Sequence, residues 1–154
     1  MAENTSFSTV YDSFLSKVTD DMYMELFPDE TAAILRDLLL NAIPWFEFPK
    51  VDVSDYDLEV SAFNMPLTNE EINIIATYMV VEWMSTQLAN VDLVRQKYSG
   101  DDFKFTSQAA HMNTLLKMKD SYESKGHHLQ RLYKRRSRDK EGKVISTFGQ
   151  IMEA

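Results

Sequence analysis

Cysteine is absent from this 154-residue chain, which excludes disulfides and thiolate metal sites and fits a reducing compartment. Glycine and proline are scarce, four of each, so long segments run without a breaker, the pattern of a helical protein rather than of a turn-rich β-sandwich. The glycines are isolated, which rules out a glycine-rich phosphate loop, and neither a nucleophile elbow nor a histidine-glutamate metalloprotease motif is present. No apolar run is long enough for a bilayer: the most apolar window, 72–84, falls short of the ~20 residues required and contains Asn73 and Glu82. Residues 1–9 are polar and lack the basic start and apolar run of an export signal. The expectation is one helical domain of a non-secreted protein, without catalysis, metal or cofactor.

Positive charge is scarce in the first two thirds. Residues 1–103 carry 5 lysines and arginines against 19 aspartates and glutamates, whereas 104–154 carry 11 against 5. The second part contains a dense basic run: Arg131, Lys134, Arg135, Arg136, Arg138, Lys140 and Lys143. Charge separated in this way suits a molecule that docks in a fixed direction. Such a run can meet an acidic protein partner or nucleic-acid phosphates, or form a solvated helix end complementing the helix dipole. An acidic protein partner is the leading expectation; the net charge of −8 weakens the nucleic-acid option for a free monomer but not for a ring that presents only these ends. His111, His127 and His128 lack the spacing and companion ligands of a zinc site. The paired carboxylates have no nearby histidine or lysine to tune them for acid-base work.

Phe7, Val10, Tyr11, Phe14, Leu15 and Val18 recur at spacings of three and four and predict a short amphipathic helix ending near 19–21. A second helix is expected after Pro28, capped by Asp29 or Thr31 and ended by Pro44 and Pro49. Thr68-Asn69-Glu70-Glu71 is a capping box, and the apolar positions that follow form more than one stripe, so 72–98 should be the central, many-sided core helix. Ser99 to Asp102 breaks it. A last long helix from Thr106 or Ser107 should pack antiparallel to it, with Gly126 loosening the rod.

Residues 47–66 read as an excursion from the bundle. Val51 and Val53, then Leu58, Val60 and Ala62, alternate with polar residues around a Ser54-Asp55 turn, the period of a β-hairpin. A lone hairpin is marginal in water, and aromatics are enriched at interfaces. Trp45, Phe48, Val51, Val53, Tyr56, Leu58, Val60 and Phe63 are therefore candidates for subunit contacts. Residues 1–136 form the expected helical domain and 137–154 an extended docking tail, with Val144, Ile145, Phe148 and Ile151 as apolar anchors that order on binding.

Three segments, DETAAILRDLLLNAIPW (29–45), LTNEEINIIATYMVVEW (67–83) and KYSGDDFKF (97–105), together with the basic tail, resemble the head-to-tail connector, or adaptor, proteins of tailed bacteriophages. They cover about a third of the chain, and none is a catalytic signature. The resemblance implies a mainly α bundle repeated as a dodecameric ring in the virion neck, made in the host cytoplasm. The portal protein would lie on one side, a stopper or tail-completion protein on the other, with DNA passing through the channel without sequence-specific binding. It assigns Arg131, Lys134, Arg135, Arg136 and Arg138, with the tail, to the portal, and the 45–66 excursion, longer than the usual loop, to ring contacts. The alternative is a small helical regulator that binds nucleic acid or sequesters a protein.

Overall fold

A computed structural model describes residues 3–18, 28–97, 102–138 and 144–146. Four helices dominate: α1 (Phe7–Lys17), α2 (Pro28–Ala42), α3 (Asn69–Lys97) and α4 (Asp102–Arg135). Two small antiparallel pairs accompany them, β1 (Tyr56–Asp57) with β2 (Ala62–Phe63) and β3 (Arg136–Arg138) with β4 (Val144–Ser146). The fold is mainly helical, as the sequence indicates.

Helix α3 is the axis. The capping box forms as its spacing requires: the Glu71 N–H donates to Thr68 Oγ1 at 3.2 Å, and the Thr68 N–H donates to Glu71 Oε1 at 2.8 Å. From Ile74 to Val81 every residue is buried, because α1, α2 and α4 all pack on this helix. An amphipathic stripe needs one covering neighbour; a helix apolar all round needs several. Helix α4 runs antiparallel to α3, so that Glu71 meets Tyr133 and Tyr78 meets Gln130 and His127. Helix α1 is capped by Ser6, whose Oγ accepts from the Ser8 N–H, and buries Phe7, Val10 and Phe14.

Several expectations shift. Helix α2 starts at Pro28, ahead of Asp29 and Thr31; a proline in the first turn has no N–H that an intrahelical bond would use. Helix α4 starts at Asp102 rather than Thr106 or Ser107. Gly126 does not loosen the rod. It is buried in mid-helix, and a Cβ there would lie 2.6 Å from Tyr78 Cζ, so the glycine permits close approach of α3 and α4. The 47–66 hairpin forms with another register. Tyr56 pairs with Phe63 and Asp57 with Ala62, so Leu58 to Ser61 is the turn rather than a strand. Phe63 is the anchor that fixes this register: it is fully buried, with its ring edge-on to Phe7 at 5.1 Å between centroids. Arg136 to Arg138 leave the helix and pair with 144–146, so part of the tail is ordered within the protomer.

Candidate partner-docking surface

The basic end of α4 is held by the segment that follows α2. Ile43–Trp45 form a single 3-10 turn around Pro44, after which residues 46–50 lie along α4. Gln130 is the clamp: its Nε2 donates to the Trp45 carbonyl at 2.9 Å and to Tyr78 Oη at 2.7 Å, and its Oε1 accepts from the Glu47 N–H at 2.9 Å. The Trp45 ring stacks on Tyr78 at 5.4 Å, 10° from parallel, while its Nε1 donates to Glu82. Tyr133 ties the next residues down. Its ring meets Phe46 edge-on, its hydroxyl donates to Glu71 Oε2 at 2.8 Å and accepts from the Lys50 N–H at 2.9 Å, and Lys50 Nζ reaches the carbonyls of Tyr133 and Arg136. Burial, with the Glu71 carboxylate alongside, raises the Tyr133 phenol pKa. Burial likewise raises that of Tyr78.

This scaffold presents a surface of mixed chemistry. Phe48 is 62% exposed, with Lys134 Nζ 4.5 Å from its ring centroid, a cation-π contact. Beside it is a depression of about 240 Å³ lined by Glu47, Phe48, His127, Gln130, Arg131, Tyr133 and Lys134. Arg131, Lys134, Arg135 and Arg136 are all exposed. Arg136 pairs with Glu70 at 3.2 Å, a surface ion pair of modest worth. Four of the seven basic residues singled out in the sequence thus gather at one end of α4. Arg138, Val144 and Ile145 lie on the β3–β4 pair next to it. Lys140, Lys143, Phe148 and Ile151 lie outside the described residues.

The aromatic and aliphatic set assigned to subunit contacts divides. Val53 and Phe63 are buried in the chain's own core, and Trp45, Val51 and Tyr56 pack partly against it, because the hairpin lies on α1 rather than standing free. Phe48, Leu58 and Val60 stay exposed. Gln130 and Lys50, and Glu71 beyond its role in the capping box, are positioning residues that no local pattern encodes: each acts on a partner at least 62 positions away. Among the described residues no cluster of metal ligands occurs and no helix is long and apolar enough to cross a membrane.

Comparison with protein-family models, with curated proteins and with solved structures finds no match to this chain.

Proposed function

We propose that the protein is a structural adaptor of a tailed-phage neck, a ring-forming connector that links the portal to the next tail component and works by docking, without chemistry. One observation carries this reading: the exposed basic end of α4 is locked to the helical core through Gln130 and Tyr133, and it borders an exposed aromatic residue and an open depression. A merely solvated helix end needs no such bracing, whereas a docking surface gains affinity when its side chains are held in place beforehand. The acidic remainder suits a channel wall that repels passing DNA, and the basic end suits an acidic rim on the portal.

Truncation after Arg136, combined with Arg135→Glu and Arg136→Glu so that the whole arm is removed, tests the assignment while keeping Tyr133 in the core. Virions assembled with this variant should yield heads and tails that fail to join; normal joining refutes portal docking by the arm. Duplex DNA provides the contrast. Tight binding that falls steeply with salt and depends on Arg135 and Arg136 would favour the nucleic-acid reading instead.

A further inference from the structure

The turn Leu58–Ser61 is an unusual object for a solvent-exposed loop. Leu58 is 43% and Val60 68% exposed, and they alternate with the acidic Asp57 and Glu59. Ser61 sits at φ 52°, a left-handed conformation that a side-chain-bearing residue adopts only at a cost in strain. The rest of the fold holds it there. Arg36 of α2 donates to the Leu58 carbonyl and to Ser61 Oγ, both at 2.6 Å, the Phe7 N–H donates to the Ser61 carbonyl at 2.9 Å, and Asp57 Oδ1 accepts from the Glu59 N–H at 2.8 Å. The result is a preorganised knob, apolar at its tip and acidic at its sides.

Its complement is on the same chain. The depression beside Phe48 has room for an aliphatic side chain, an exposed aromatic wall, and Arg131 and Lys134 on its rim, with Glu47 the one carboxylate in its lining. Knob and depression belong to different elements, and Leu58, Val60 and Phe48 are exposed together in one protomer, so the knob does not fill its own depression. We infer that the knob of one copy seats in the depression of the next: Val60 or Leu58 enters against Phe48, and Asp57 and Glu59 face Arg131 and Lys134. A contact between two different patches is heterologous and repeats head to tail, closing into a ring where the rotation allows. This inference rests on the ring reading given above and narrows it, assigning Arg131 and Lys134 to the neighbouring copy and leaving the arm from Arg135 onward for the portal.

The absence of cysteine makes the test clean. Val60→Cys and Lys134→Cys variants are mixed and treated with a short bis-maleimide linker. The mixed 60–134 cross-link should exceed both symmetric ones. In sedimentation, Asp57→Lys/Glu59→Lys and Arg131→Glu/Lys134→Glu should each weaken self-association by about tenfold, and combining all four reversals should restore most of it. Dominant symmetric cross-links, no mixed cross-link where the unaltered chain is oligomeric, or a chain monomeric at millimolar concentration would each overturn the contact. Mixed cross-linking together with normal head-tail joining by the arm-truncated chain would keep the contact and remove the portal assignment. The opposite pair of results would do the reverse.

Discussion

Replacing Gly126 by alanine sets two effects of known sign against each other. An alanine in mid-helix is favoured over glycine by about 0.8–1 kcal/mol, so helix propensity alone predicts stabilisation. The new methyl, however, would stand 2.6 Å from Tyr78 Cζ and 2.9 Å from its hydroxyl oxygen. The ring has nowhere to go: it is fully buried, stacked on Trp45, and hydrogen-bonded through its hydroxyl to Gln130. Overpacking of such a site costs about 1–3 kcal/mol. The balance is a net loss of about 1 kcal/mol, seen as a fall in Tm of about 3 °C for a chain of this size. The decisive arm uses Tyr78→Leu as background. There the obstructing ring is gone, and Gly126→Ala should become stabilising by about 0.5–1 kcal/mol. Urea unfolding followed by helical circular dichroism measures both legs. The same sign of effect in both backgrounds would refute steric exclusion as the reason for the glycine.

Other outcomes follow from the same geometry. Glu71→Ala removes a cap and leaves the buried Tyr133 hydroxyl without its acceptor, so it should cost about 2–4 kcal/mol in urea unfolding, with Glu71→Gln milder. Tyr133 keeps its proton in the folded state to a higher pH than in the unfolded chain, so folded stability should be full below pH ~10 and fall as pH rises above it. Tyr133→Phe should flatten that decline in alkaline unfolding curves. Tyr11 and Tyr78 are also shifted upward by burial, so part of the phenolate absorbance should appear only as the chain unfolds. Arg36→Met should leave overall stability within about 2 kcal/mol while releasing the Leu58–Ser61 turn, read as faster amide exchange confined to that turn.

Local signals in the chain were enough for the helices. The Thr68–Glu71 box, the apolar spacing of α1 and the many-sided apolar run of α3 announce their structures, since caps and 3.6-residue periodicity act over one or two turns. The Val51 to Ala62 alternation misled. Period two marks residues for opposite faces of a strand, yet Phe63 had a pocket against Phe7 and drew the register toward itself, turning Leu58 to Ser61 into the bend. The basic run was plain to read, but not the Phe48 wall or the depression beside it, which exist only because the chain after α2 is pinned to α4.

The helical class, the place of the central helix and the charge polarity are all written in neighbouring residues of the chain. Tertiary structure alone decided the role of Gly126 as a point of close approach, the bracing of the basic end by Gln130, Tyr133 and Glu71, and which apolar residues of the excursion stay exposed. The physical reason is that these depend on pairs separated by tens of positions along the chain. Burial and a hydrogen-bond partner are acquired at docking, and no residue carries them in its own chemistry.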